Sequence, residues 1–265
     1  MHFYLSEFSA AVGRSIQRFG FVKLAIFVLL SYHIVEAKNY CSYCKHHVAC
    51  NNDGNFGKDC SADRQLLEMN TSQKEYIVKL HNRMRNKIAL GQIPKYSSAA
   101  KMPSFQWSDE LAYLAELNVR SCNYGHDECR ATDKYRWAGQ NIARRGNTKG
   151  YENTNTAIKK MINDWFIEYK DADMSYIKSY HNHPLGKNIG HFTVMVNDKN
   201  NAIGCAMIRH QEGVFKYRYL VCNYGFTNIY ERPVYEKGAT GSKCKERHSI
   251  YEGLCSAKQV VIPVP

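Results

Sequence analysis

The chain has 265 residues, ten cysteines and a formal net charge of +12. That length is enough for one sizeable core, a single domain with small appendages. The charge favours acidic partners through long-range attraction, but lysine and arginine are scattered apart from local pairs such as Arg144-Arg145 and Lys159-Lys160, and nothing resembles a nucleic-acid module.

Arg14, Arg18 and Lys23 precede an apolar run, Leu24 to Leu30, which Ser31 to Val35 extends weakly. A membrane-spanning helix needs roughly 20 apolar residues, so the run is too short for one. Val35-Glu36-Ala37 supplies the small-residue pattern of a secretory cleavage site. Residues 1–37 therefore read as a signal peptide cleaved after Ala37, with a signal anchor as the alternative, and the mature protein is expected outside the cell. All ten cysteines follow this segment, which predicts a disulfide framework in an oxidising compartment. An even count leaves no odd thiol for nucleophilic catalysis. Cys41-x-x-Cys44 with His46, His47 and Cys50 is the alternative, because thiolates and imidazoles at that spacing can close a zinc tetrahedron.

Asn70-Thr71-Ser72 is an N-glycosylation sequon just before a helix, so Asn70 is expected to be exposed and glycosylated. Ser72 with Glu75 reads as a capping box. Tyr76, Leu80, Met84 and Ile88 then repeat every fourth position until Gly91 stops the helix. A second helix starts at Ser108 with Asp109 and Glu110 in its first turn and Leu111, Leu114, Ala115 and Leu117 on its apolar face. A third runs from about Thr156 to Lys170 under a stripe of Ile158, Met161, Ile162, Trp165, Phe166 and Tyr169. Between these two helices, Asn123 to Tyr151 is rich in Gly, Asn and charge and reads as loop. Residues 191–197, 202–209 and 215–224 are rich in β-branched and aromatic side chains and predict an antiparallel meander. Cys205 and Cys222 lie in its last two strands and pair if the register brings them opposite. Helices followed by a strand cluster give an α+β or layered fold. Residues 38–62 and 231–265 read as small disulfide-tied extensions of a domain at 63–230, the second ending in a Val-Ile-Pro-Val-Pro tail.

His81-Asn82-x-x-Arg85, Gly139-Gln140-Asn141, Trp165-x-x-Glu168, Gly190-His191-Phe192-Thr193 and Cys222-Asn223-Tyr224, in that order, resemble the motifs of the CAP superfamily. The four amino-terminal cysteines and Tyr124-Gly125-His126-Asp127-x-Cys129 resemble its insect antigen 5 branch, known from venom and blood-feeding saliva. The resemblance implies a three-layer α-β-α sandwich around an antiparallel sheet. It also implies the disulfides Cys41–Cys50, Cys44–Cys129, Cys60–Cys122 and Cys205–Cys222, which leaves Cys244 with Cys255.

Many CAP proteins carry a cleft tetrad of two histidines and two glutamates. Here His126, Glu168 and His191 match three positions, and Gln140 stands where the family's Gly-Glu-Asn has its glutamate. His126 and His191 could hold zinc, whose Lewis acidity with a nearby carboxylate base is the chemistry of a hydrolase. Gln140 cannot act as a base and subtracts one negative charge. The expected function is therefore a secreted, non-enzymatic binding or host-interaction protein of saliva, venom or body fluid, needing no cofactor. Its partner would be an extracellular protein, a lipid or sterol, or an acidic glycan or anionic lipid surface, and not a nucleic acid. The alternative is a zinc hydrolase using His126, His191 and Glu168. No Gly-x-Ser-x-Gly elbow supports a serine hydrolase. Taken singly, His126 could bond loop backbone, Glu168 face solvent and His191 cap a turn. His81, beside Leu80 on a helix, reads as structural. His181-Asn182-His183-Pro184 is a second, weaker metal pattern whose simpler reading is a polar loop.

Overall fold

A hairpin organises the sheet. Strand β4 (Ala202–Glu212) and strand β5 (Phe215–Tyr224) run antiparallel across a turn at Gly213, whose φ of +57° suits glycine. The register sets Cys205 directly opposite Cys222, and the two form a disulfide. The computed structural model describes residues 38–259 and 261; the expected signal peptide and most of the Val-Ile-Pro-Val-Pro tail lie outside them. β5 is flanked on its other side by β3 (Gly139–Asn147), and β4 by the short β1 (Gln65–Leu67), both antiparallel. The order is β1-β4-β5-β3, with the two-residue β2 (Gln106–Trp107) pairing parallel to β4.

Helix α1 (Thr71–Ala89) starts at Asn70, whose side-chain oxygen accepts from the Gln73 N–H at 2.9 Å while Gln73 reaches back to the Asn70 N–H. The capping box thus sits two residues before the expected Ser72 and Glu75, because Asn70 already offers a cap oxygen. Helix α2 (Asp109–Arg120) begins at the expected Ser108 cap. Helix α3 (Thr154–Ile167) runs into a 3-10 turn at Glu168–Lys170, and two short helices follow, α4 (Met174–Lys178) and α5 (Gly190–Met195).

The sheet is covered on both faces. α2 packs Ala115 and Val119 against Ile142, Ala206, Ile208 and Val221. It comes so close at Gly204 that an added Cβ would lie 2.2 Å from the Ala112 nitrogen. On the other face α1, α3 and α5 bury Ile77, Ile158, Met161, Phe192, Met207 and Leu220 in the larger core. This is the three-layer α-β-α arrangement.

Two expectations fail. Residues 191–197 are not a strand: Gly190–Met195 is α5, a buried helical turn in which Thr193 Oγ1 donates to the Ile189 carbonyl at 2.9 Å. A short apolar run does not separate strand from buried helix by periodicity. The supposed loop 123–151 contains β3, the edge strand that replaces 191–197 in the sheet.

The other disulfides join Cys41 to Cys50, Cys44 to Cys129, Cys60 to Cys122 and Cys244 to Cys255, and no cysteine is free. The zinc alternative at the amino-terminal cysteines therefore falls, since all three sulfurs are oxidised. His47 there donates its Nε2 proton to the Ala131 carbonyl at 2.8 Å and accepts from the Ala49 N–H through Nδ1 at 3.0 Å.

Candidate functional site

The site begins with buried scaffolding. His81 on α1 is fully buried; its Nδ1–H donates to the Ile77 carbonyl at 2.9 Å and its Nε2 accepts from the Tyr224 hydroxyl at 3.0 Å. That hydroxyl accepts in turn from Asn141 Nδ2 at 3.1 Å, and the same Nδ2 donates to the His191 carbonyl at 3.2 Å. One chain of hydrogen bonds thus ties α1, β5, β3 and α5 together. Arg85, also fully buried, donates five hydrogen bonds to the carbonyls of Pro103, Met195, Asn197 and Asn200. Asn82 brackets Phe105 through both its N–H and its carbonyl. The His81-Asn82-x-x-Arg85 motif is therefore structural.

On this scaffold β3, at the sheet edge, turns Gln140 toward the α2 layer and Asn141 toward the α1/α3 layer, by the alternation of a strand. A cavity of about 560 Å³ opens there, lined among others by His126, Gln140, Asn141, Tyr180, His183 and His191. The volume suits a small ligand or one segment of a larger one.

Each cleft histidine is oriented through Nδ1. His191, 24% exposed, donates to Glu168 Oε1 at 2.6 Å, and Glu168 Oε2 accepts the Phe192 N–H at 3.1 Å. His126, at the solvent edge, donates Nδ1–H to Gln140 Oε1 at 2.8 Å. Only the Nε2 atoms remain for a ligand. Burial lowers the His126 pKa below its ordinary value; the bond to Gln140 pulls the other way, and the nearby Arg130 cation lowers it further. A neutral ring results at physiological pH.

Gln140 is the centre of this half of the cleft. Its oxygen also faces the Asp127 N–H at 3.3 Å, while its nitrogen donates to Asp127 Oδ2 at 2.6 Å and to Asn223 Oδ1 at 3.0 Å. Asn223 is fixed by donating to the Leu111 carbonyl, and Asp127 by an ion pair with Arg130 at 3.2 Å. An amide satisfies these partners because it both donates and accepts; a carboxylate would meet two oxygens. The sequence folds so that His126, Gln140 and His191 line one cavity, with Glu168 bonded behind His191. It did not disclose Asp127 and Asn223 as the residues that hold Gln140, although both stand inside quoted motifs.

The donor set does not fit a zinc centre. Zinc takes three or four protein donors, and two imidazoles are offered here, since the oxygens of Glu168 and Gln140 are spent on orienting them. No group of three or more His, Cys, Asp or Glu side chains among the described residues could hold a metal ion. His181 and His183 do not converge on a metal either: both rings stack on Tyr176, at 4.5 and 5.7 Å between centroids. His183 nonetheless joins the cleft wall.

Residues 78–224 match the profile of the CAP family, described as the cysteine-rich secretory protein family. The antigen 5 like allergen Cul n 1 of Culicoides nubeculosus is 44% identical over 203 residues, spanning 71% of this chain and 91% of that protein. Venom allergen-1 of Aedes aegypti is 41% identical over 230 residues, 84% of this chain and 89% of the relative. Among solved structures, Na-ASP-1 superposes with a TM-score of 0.60 at 25% identity, over 76% of this chain and 50% of that one. NaASP2, crystallised with Zn²⁺, has a TM-score of 0.59 at 23% identity, covering 74% and 100%, and supports the fold alone. With a matched domain, relatives of this identity and a shared sandwich, the chain belongs to the CAP family and resembles its antigen 5 and venom allergen members.

Proposed function

We propose that this chain is exported and acts as a non-catalytic binding protein, receiving a polar part of an extracellular partner in the cleft at the β3 edge. The carrying observation is the wiring of Gln140. Its amide is held between Asp127 and Asn223 on one side and His126 on the other. The cleft therefore has no carboxylate free to take a proton, and Glu168 is occupied by two donors. The zinc-hydrolase alternative needs a free carboxylate base beside the metal-bound water. The lining instead offers neutral hydrogen-bonding groups, Asn141, Asn182 and Asn228, with the Nε2 atoms of the histidines and Lys187, which is ion-paired with Asp171. These suit a neutral or anionic polar group.

Export is supported by five disulfides and by the signal-like residues 1–37. Relatives named as allergens and venom allergens agree with it. Asn70 is exposed and uses Oδ1 for the α1 cap, which leaves Nδ2 for a glycan. Native mass spectrometry of the chain secreted from insect cells tests the reading. The expected species starts at Lys38, has all ten cysteines oxidised and carries a glycan lost in Asn70→Gln. It shows no ester or peptide turnover with or without zinc. Turnover abolished by His126→Ala would overturn the non-catalytic assignment.

A further inference from the structure

Away from the cleft, the far end of the sheet holds an arrangement that packing alone disfavours. β3, β5 and β4 place Arg145, Arg218 and Arg209 directly opposite one another in one row. Residues opposite in an antiparallel sheet project from the same face, and like charges so placed repel. Lys216 stands one step further along the same face of β5.

The row is only partly compensated. Tyr151 lies among it, with Arg209, Lys216 and Arg218 at 5.0, 5.6 and 5.8 Å from its ring centroid, and its hydroxyl donates to Asp63 at 2.6 Å. Arg218 donates through Nε and Nη2 to the Glu152 carbonyl, Arg145 pairs with Asp164 at 2.6 Å, and Lys160 pairs with the Glu152 carboxylate. Arg218 is 6% exposed, yet its Nη1 has no hydrogen-bond partner among the described residues, and neither has the buried Arg209 Nε. A buried charged donor left unmatched is costly. Arg218 lines a cavity of about 190 Å³ together with Arg145, Lys160 and Lys216, against one carboxylate, Glu152. That space exceeds the roughly 30 Å³ share of a single liquid water.

We propose that this basic pocket between β3, β5 and the start of α3 is a binding site for a tetrahedral oxyanion, a sulfate or phosphate group, either free or carried as an ester. Guanidinium forks match the geometry of such oxygens and give short, charge-assisted hydrogen bonds. The site is independent of the cleft reading: it uses none of the cleft side chains, and the two fail separately.

The test is calorimetric titration of the secreted, disulfide-bonded protein at low ionic strength. The probes are sodium sulfate, sodium phosphate and a sulfated disaccharide, with sodium chloride at matched ionic strength as the control. Saturable uptake of one divalent anion is expected. Lys160→Ala and Lys216→Ala, both on the rim, should each weaken it about two- to fivefold, the range for losing one partly exposed charge pair. Asp164→Asn, which frees Arg145, should tighten it about twofold. Tighter binding of the disaccharide than of free sulfate assigns the natural ligand to an ester; equal or weaker binding assigns it to the free ion. A response equal to that of chloride, or rim variants indistinguishable from the parent, overturns the site. So does binding that disappears in His126→Ala and persists in Lys216→Ala, because the anion would then lie in the cleft.

Discussion

The buried motif under α1 and the cleft at the β3 edge use the same side chains for opposite ends. At His81 both ring nitrogens are consumed, one by the Ile77 carbonyl and one by the Tyr224 hydroxyl, and no surface is exposed. At His126 and His191 a single nitrogen is consumed, by Gln140 and Glu168, and the other is kept at a cavity. Burial demands that hydrogen-bonding capacity be satisfied internally, whereas a binding site needs capacity left over. Substitution in the two regions should therefore have very different consequences, and the contrast can be broken in order of expected effect.

The largest effect belongs to Arg85→Met. The guanidinium holds four buried carbonyls and lies 4.4 Å over the Phe105 ring. Methionine keeps much of the volume and orphans those acceptors, at a cost of about 3–5 kcal/mol. For a domain of this size that corresponds to a fall of about 10 °C in Tm, read by circular dichroism with the disulfides intact. A loss of under about 2 °C would mean that the carbonyls find other donors and that the motif does not hold the buried scaffold together.

Acid should strike the same region next. Burial lowers the His81 pKa to about 4, and burial likewise lowers those of His47, His126 and His210. A histidine depressed in the fold binds its proton more readily when unfolded, so stability rises with pH across the window between the two values. The contribution of His81 is complete above about pH 6.5 and is lost as pH falls toward 4, amounting to about 3 kcal/mol. Urea unfolding at pH 6.5 and 5 checks it: His81→Gln should be less stable than the parent at the higher pH and show a visibly shallower loss on acidification. Parallel losses in both proteins would assign the acid sensitivity to other groups.

Much of this architecture was legible. Three main helices follow from apolar stripes with caps, and the hairpin strands from β-branched runs around a glycine turn. The edge strand β3 was not, because its exposed half, Arg144 to Asn147, is polar on both faces and its buried half, Gly139 to Ile142, carries glycine and two amides. Those amides are in the strand for the cleft: Gln140 and Asn141 satisfy buried hydrogen bonds on opposite faces. The misread segment 191–197 failed for the converse reason, being so apolar that helix and strand look alike. That His126, Gln140 and His191 meet at one cavity was legible through motifs in order. The support of Gln140 by Asp127 and Asn223 was not, since it depends on contacts across separate elements.

That support makes Gln140→Glu the sharpest intermediate test. The new carboxylate would face Asp127, whose side chain is 6% exposed and whose oxygen lies 2.6 Å from the present amide nitrogen. Two such carboxylates cannot both ionise, so the pair's pKa rises in the fold above its unfolded value. The penalty, about 1–3 kcal/mol, is full above that raised pKa and relieved as pH falls through it. Protonation of His126 beside the new carboxylate acts in the same direction. Urea unfolding should show a gap from the parent that is wide at pH 8 and narrower at pH 5. An equal gap at both would make the defect one of shape rather than charge.

The smallest effects are expected at the cleft histidines themselves. His126→Ala removes a ring at the solvent edge and leaves Gln140 its other three hydrogen bonds, to Asp127 and Asn223, for a cost under about 1 kcal/mol. His191→Ala deprives Glu168 of one of two donors while the Phe192 N–H stays, for about 1 kcal/mol. Both proteins should be secreted from insect cells at parental yield, which separates them from Arg85→Met. If either instead matched Arg85→Met in lost yield, the cleft would be part of the buried scaffold. The Nε2 atoms would then be spare by accident rather than kept for a ligand, and a binding role would have to be sought on the outer surfaces of the sandwich.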